Sequence, residues 1–402
     1  MKPRYILFLM IGIDALILFF QTSNISISET EASLLYGDFS FLQLLINTSL
    51  KIFGQNDFGL RFVMVTFHLM SVALMYLVSK RYVVLPRNRL LLTLIFILLP
   101  GVVSSAIVVN NAGMVIFGLL LFVYLSEKTS QTFLNVLLFL YAIVDIGFAY
   151  LFLGLAAHSM FNSKRAMFIY SVALYALTSV LYGFDAFGSP KGHFLDTIGV
   201  YGAIFSPIIF IYIFYTLYRN YLTSKIEMLW YISSVALIVS LVLSFRQRIA
   251  IEHFAPYLII ALPLSAQLFI SSYRVRLREY RKSYKIVFTA SLLFLIANTL
   301  VVFFNKELYQ FMENPKKHFA YKMHIAKDLS EALKFDNINC ITTDENMQKR
   351  LKFYGLIECK ENILTEVELN ENALVNVTIS YKNKVLYKAN VTKINSDKSI
   401  LY

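Results

Sequence analysis

Glu29 and Glu31 stand two residues apart in QTSNISISETEASLLYGDFS, the polar stretch that opens at Gln21 after the first apolar segment. Paired carboxylates at the mouth of a membrane helix can take a proton from an acceptor or hold a cation beside a phosphate. Ser28-x-x-Glu31 is also a capping-box pattern, which suits Glu31 to the first turn of a helix. Arg246, Arg248 and His253 lie close together in FRQRIAIEHFAPYLIIALPL. Arginine grips phosphate with two parallel N–H groups, so the cluster suits a phosphate or diphosphate, or else anchors a helix at the interface. Lys191 and His193 form a second, smaller basic site beside Gly188, Pro190 and Gly192. Asp14 and His68 fall inside apolar segments, where an acid is either functional or paired to a neighbouring helix; a structural Asp14–His68 or Asp14–arginine pair is the reading preferred.

These groups need elements to hold them. The chain has 402 residues, of which 57% are hydrophobic and 15% charged. That balance excludes an ordinary soluble domain and indicates a polytopic membrane protein. A formal charge of +12 could suggest nucleic acid, but many of the basic residues flank apolar segments and instead report topology. No nucleic-acid partner is expected. The first apolar segment, 5–20, lacks a small-residue cleavage site and is expected to be retained as a helix.

Apolar segments run over 5–20, 58–79, 90–109, 113–125, 132–144, 147–160, 166–184, 198–218, 228–245, 254–272 and 286–304. That makes eleven, or ten if 132–160 is one long helix. With eleven and a cytoplasmic N-terminus, seventeen basic residues lie inside, among them the run Arg274, Arg276, Arg278, Arg281, Lys282 and Lys285, and five lie in outer loops. Ten segments would turn that run outward, so the positive-inside rule selects eleven. Residues 21–57, Asn110–Asn111, 185–197 and 246–253 then face outward. Asp145 falls at an outer turn and His158 is a packed or interfacial histidine.

Residues 1–304 therefore read as a transmembrane domain and 305–402 as a small α/β extracytoplasmic domain. In the latter, Met323, Ile325, Ala326, Leu329 and Leu333 recur at helical spacing. Ile338–Thr342 reads as a strand, Asp344 caps a helix ending near Gly355, and 363–369, 374–381 and 384–391 alternate as strands. Cys340 and Cys359 fit either a disulfide, which that compartment permits, or two buried thiols. No metal-finger spacing, P-loop or dinucleotide fingerprint is present. The residues specify no cofactor; a divalent cation stays open, without a convincing ligand set.

The first loop and second helix resemble the GT-C class of membrane glycosyltransferases, especially the protein O-mannosyltransferase and lipid A aminoarabinose transferase group. Glu31-Ala32-Ser33-Leu34-Leu35-Tyr36 resembles the acidic loop motif. Phe53-Gly54-Gln55-Asn56-Asp57-Phe58-Gly59-Leu60-Arg61 resembles the turn and arginine that open the second helix. Arg246, Arg248, His253, Tyr257 and Pro263 resemble the segment leading into a late proline-bearing helix. The resemblance implies a bacterial inner-membrane enzyme with a periplasmic C-terminal domain. It would transfer a hexose or pentose, with inversion, from a polyprenyl-phosphate donor to a lipid, glycan or protein acceptor. Glu31 or Glu29 would act on the acceptor, and Arg246, Arg248 and Arg61 would stabilise the departing phosphate. An apolar groove between helices would hold the prenyl chain. Three departures stand out: the family's aspartate–glutamate pair reads Thr30–Glu31, its histidine-proline-proline element is absent, and Asn110–Asn111 replaces an acid. They favour a rival reading, a non-catalytic scaffold of the same fold. A lipid-linked sugar flippase or transporter ranks third, because no internal repeat is visible.

Overall fold

The computed structural model describes residues 3–184, 192–223, 226–367 and 376–393. It is mostly helical. Helices α1 (Pro3–Ser23), α2 (Glu29–Tyr36), α3 (Phe41–Phe53), α4 (Asp57–Tyr82), α5 (Pro86–Ile97), α6 (Pro100–Ile107), α7 (Asn111–Ser126), α8 (Gln131–Val144) and α9 (Ala149–Phe161) come first. Then follow α10 (Arg165–Tyr182), α11 (Phe194–Phe205), α12 (Pro207–Leu222), α13 (Met228–Ser244), α14 (Ile251–Ile259), α15 (Leu262–Val275) and α16 (Arg278–Phe303). The tail adds α17 (Ala326–Phe335), α18 (Glu345–Phe353) and strands β1 (Asn362–Val367), β2 (Val377–Tyr381) and β3 (Lys384–Lys393).

Every apolar segment of the sequence falls on a helix or a helix pair. Five stretches, α1, α4, α10, α14–α15 taken together and α16, are long and apolar enough to cross a bilayer, or seven if two bent pairs each count as one span. The pairs are α5–α6, bent by 60°, and α11–α12, bent by 106°. Proline explains both breaks, since Pro100 and Pro207 each sit at the first position of the second helix and cannot donate to the turn before. Helices α7, α8, α9 and α13 have 13 to 17 residues, roughly 20–25 Å by helical rise. Helix length therefore does not itself deliver eleven crossings. Large apolar side chains point outward along the long helices: Phe8 and Leu16 are 69% and 73% exposed, and Ile286 and Leu293 are 68% and 62% exposed. Water would penalise such faces and hydrocarbon does not, so the protein is a multi-pass membrane protein.

The chain forms two compact units. The first comprises residues 1–18 and 64–300. Its core is a continuous apolar cluster from Val72 to Leu295. Helices α9 and α13 approach closely because Gly154 has no side chain; a Cβ there would lie 2.6 Å from the Ile232 Cα. Tyr257 pins the centre. Its hydroxyl donates to the Gly147 carbonyl (2.6 Å) and accepts from the Leu151 N–H (2.9 Å), while Ser233 donates to its carbonyl (2.8 Å). Asp14 meets the His68 Nε2 at 2.7 Å, which is the interhelical pair expected from the sequence. Asn110 caps α7 through the Gly113 N–H, and Asp145 caps the turn before α9 through the Gly147 N–H. His158 packs edge-on against Tyr231.

The second unit comprises residues 19–63 and 301–402, so the tail is grouped with the first loop. Three antiparallel strands lie in the order β1-β3-β2. Helix α17 packs on β2, and α18 joins it in one core that buries Leu329, Leu333, Leu351, Leu364, Ile379 and Ala389. Asp344 caps α18 through the Met347 N–H (3.0 Å), and Gly355 ends the turn with φ +87°. The strand expected over Ile338–Thr342 is instead two isolated parallel bridges, Cys340 to Ile357 and Thr342 to Ile363. Cys340 and Cys359 are paired, with Cα atoms 5.4 Å apart. The bridge closes a loop of about twenty residues, worth roughly 3 kcal/mol on the chain-entropy view.

His324 is buried in this unit, 2.9 Å from the Tyr309 hydroxyl through Nδ1. Burial, with Lys306 and His318 nearby, holds its pKa down at about 3 against an ordinary 6.5. Between those values the unfolded chain binds the proton and the folded one does not. Stability should therefore be complete above pH 6.5 and fall on acidification toward pH 3, by at most about 1.4 kcal/mol per pH unit. Thermal unfolding of the detergent-solubilised chain at pH 7, 6 and 5 should show this slope reduced in His324→Phe; parallel curves for the two proteins would contradict it.

Candidate functional site

The first loop is built from local signals. Ser28 begins α2 with a complete capping box: its hydroxyl accepts from the Glu31 N–H (3.2 Å), and the Glu31 Oε2 accepts from the Ser28 N–H (2.8 Å). Ser40 caps the amphipathic α3, and Gly54, at φ +83°, lets the chain leave it. Asn56 ties that turn to α4, accepting from the Gly59 N–H (2.7 Å) and donating to the Phe53 carbonyl (2.8 Å). Phe19, Phe53, Phe58 and Phe62 form a cluster of tilted and edge-on rings beside the turn.

Arg61 projects from the first turn of α4 into the middle of this loop and is wholly buried, as is Glu31. Its Nε donates to the Glu31 Oε1 (3.0 Å) and one Nη to the Glu31 Oε2 (2.8 Å). That second Nη also donates to the Ser26 carbonyl (2.9 Å). The other Nη donates to the carbonyls of Thr22 (3.0 Å) and Ile25 (2.5 Å). All five N–H groups are thus spent on protein. The guanidinium caps the end of α1 and fixes the loop to α2 in one stroke.

A second layer comes from the tail. Asp57 accepts from the Tyr354 hydroxyl (2.7 Å) and pairs with the Lys327 Nζ (2.9 Å), 4.0 Å from Arg61. The Tyr354 hydroxyl also accepts from the Ile27 N–H (2.9 Å). Arg350 donates to the carbonyls of Ile27 (3.1 Å) and Lys322, and the Ser26 N–H donates to the Met323 carbonyl (3.0 Å). Lys322 pairs with Glu29, and Lys327 also donates to the Ser23 carbonyl (3.0 Å). Burial and the Asp57 carboxylate raise the Tyr354 pKa, so this hydroxyl stays a donor; burial alone lowers that of Arg350.

The sequence-derived candidates divide accordingly. Glu31 and Arg61 come together as a buried bidentate ion pair. Both Glu31 oxygens are engaged, so a proton accepted there would break the bidentate pair, and Arg61 has no N–H left for a lipid phosphate. Glu29 is different: its side chain is 29% exposed, next to the exposed Thr30. Arg246, Arg248, His253 and His193 belong to the other unit. Arg246 and Arg248 are exposed in the turn between α13 and α14, whereas His253 is buried in the first turn of α14. The His193 N–H donates to the Ser244 carbonyl (2.9 Å), and Phe194 stacks on Phe245 at 4.7 Å. His193 therefore lies beside the start of the turn that carries Arg246 and Arg248. His193 itself lies 3.3 Å from Asp196. Lys191, with Gly188 and Pro190, lies outside the described residues, as do Lys2 and Lys225. Among the described residues no group of three His, Cys, Asp or Glu side chains could hold a metal ion. Asp57, Lys322, Arg350 and Tyr354 were not singled out from the sequence. Asp57 sits inside the turn motif and could have been; the others meet the loop only through long-range folding.

The chain is similar to crystal structures of ArnT, a lipid A aminoarabinose transferase from Cupriavidus metallidurans. It matches the apo state with a TM-score of 0.57 at 10% identity, over 95% of this chain and 96% of that one. The form bound to undecaprenyl phosphate matches at 0.52 and 10% identity, over 89% of this chain and 76% of that one. No protein-family model matches the sequence, and no curated protein does.

Removing one partner of a buried, fully bonded ion pair leaves the other charge uncompensated, which costs about 3–5 kcal/mol. Glu31→Gln should therefore lower the unfolding free energy of the solubilised chain by that order. Thr30→Ala, on an exposed neighbour, should shift it by less than about 0.5 kcal/mol. Equal stability of Glu31→Gln and wild type would show that the pair does not hold the loop.

Proposed function

We propose that this protein is a glycosyltransferase of the bacterial inner membrane, transferring a hexose or pentose from a polyprenyl-phosphate donor to a lipid, glycan or protein acceptor on the outer face. The observation that carries this reading is the likeness to ArnT over nearly the full length of both chains, in a structure series that includes one with undecaprenyl phosphate. Eleven spans, a cytoplasmic N-terminus and an extracytoplasmic tail accompany it, on the strength of the basic-residue distribution.

In this reading Glu29 takes the proton of the acceptor hydroxyl. The acceptor oxygen attacks the anomeric carbon, the bond from that carbon to the phosphate oxygen breaks, and the electron pair leaves on the polyprenyl phosphate. Attack opposite the leaving group gives inversion. Arg246 and Arg248, with His193, His253 and Lys191 nearby in sequence or space, bind the phosphate. Glu31 and Arg61 position the loop that carries Glu29.

One observation favours the second reading, a non-catalytic scaffold: Glu31 is sealed by Arg61, and Thr30 occupies the place of the family's first acid. Transfer from a labelled polyprenyl-phosphate sugar pool, measured on reconstituted protein, separates the two. Glu29→Gln should lower kcat by about a hundred- to ten-thousandfold with KM unchanged. Arg248→Ala should chiefly raise KM for the donor. Full turnover in Glu29→Gln would remove Glu29 from the chemistry, and a wild type inert with every donor would select the scaffold.

A further inference from the structure

Within the first unit, helices α5, α12, α15 and α16 line a half-open cavity of about 950 Å³. Its walls are apolar, with Ile95, Ile213, Ala266, Ile270 and Leu292 among them. One end is different. Arg87, Arg274 and Lys285 line it, all three exposed and with no ion-pair partner among the described residues. Tyr273, Tyr284 and Phe269 form a stacked aromatic shelf there, with rings 4.7–6.2 Å apart. The shelf carries Arg276 over the Tyr284 ring at 4.2 Å and Lys285 near the Tyr273 ring at 5.9 Å. Deeper in, the buried Ser265 hydroxyl on the cavity wall has no hydrogen-bond partner among the described residues.

The ligand that matches this pattern is amphiphilic. Its body must be hydrocarbon, because the slot lies between membrane helices and its walls offer almost nothing polar. Its head must be anionic, because three cations with no ion-pair partner among the described residues line the mouth. Tyrosine shelves mark the depth at which headgroups sit. Clusters of Lys and Arg between membrane helices are the chemistry that selects anionic lipid heads. We propose that this cavity is a specific site for one anionic phospholipid, its phosphate at Arg87, Arg274 and Lys285 and its chains between α5, α12, α15 and α16. The inference is independent of sugar transfer. With the proposed topology, the basic end faces the cytoplasm, on the side opposite to the donor and acceptor.

Native mass spectrometry of the full chain, released from detergent with phosphatidylglycerol or phosphatidylcholine, tests it. One phosphatidylglycerol should be retained, with a preference over phosphatidylcholine of about tenfold or more. Arg274→Gln with Lys285→Gln, both on the surface, should reduce that preference by up to about thirtyfold, in line with the contribution of about 1 kcal/mol from each basic residue near a headgroup. Ala266→Phe, which fills the slot, should abolish retention while the cations remain. Equal retention of the two lipids, or unchanged retention in both variants, would overturn the proposal. Displacement of phosphatidylglycerol by equimolar undecaprenyl phosphate would overturn it too, by making the cavity a prenyl-phosphate site.

Discussion

A guanidinium sealed from water must place every N–H on the protein, and most of the first loop is arranged to let Arg61 do so. Three of its partners are carbonyls in residues 22–26, at and just beyond the end of α1, and the fourth is the Glu31 carboxylate on α2. The loop could not follow another path without stranding a charge in the interior, at a cost that exceeds any single cap or turn. The capping box, the Asn56 turn and the phenylalanine cluster then read as devices that deliver Glu31 and Arg61 to each other. The tail continues the scheme, because Arg350 and Tyr354 take up the carbonyl and N–H of Ile27 that Arg61 leaves unused.

This constraint separates the two acids of the loop. Glu31 is tied at both oxygens and holds structure, whereas Glu29 keeps partial access to solvent through its pair with Lys322. One carboxylate thus serves geometry so that its neighbour can be held at a defined place on the surface. The same logic recurs in the first unit, where Asp14 and His68 satisfy each other inside apolar surroundings, and where the Tyr257 hydroxyl meets two backbone groups while its carbonyl accepts from Ser233, around the proline-bearing α14.

Much of this was legible in the amino-acid order. Apolar segments mark helices because a bilayer leaves the backbone no other partner than itself, and all eleven segments are helical. Ser28-x-x-Glu31 announced its capping box, and Asp14 and His68 announced each other by being costly alone. The bends at Pro100 and Pro207 were present as prolines inside apolar runs and were passed over. What stayed hidden was long-range pairing. Nothing local to Arg61 says that it will meet Glu31 rather than a phosphate, and nothing local to Lys322, Arg350 or Tyr354 says that they will meet residues 23–29. Local pattern places Ile338–Thr342 in a strand, but its few hydrogen bonds to Ile357 and Asn362 leave only bridges.

The central claim is that Arg61 organises the first loop and, through it, the loop's union with the tail. Hydrogen exchange on the full chain and on Arg61→Met measures this directly. Residues 22–36 and residues 320–330 should lose protection together in the variant, because the Ser26 N–H to Met323 carbonyl bond and the Lys322–Glu29 pair depend on a loop that Arg61 holds. Amides of α9 and α13, packed around Gly154, should keep theirs. Undiminished protection of residues 22–36 in Arg61→Met, or loss there with residues 320–330 unchanged, would contradict the account.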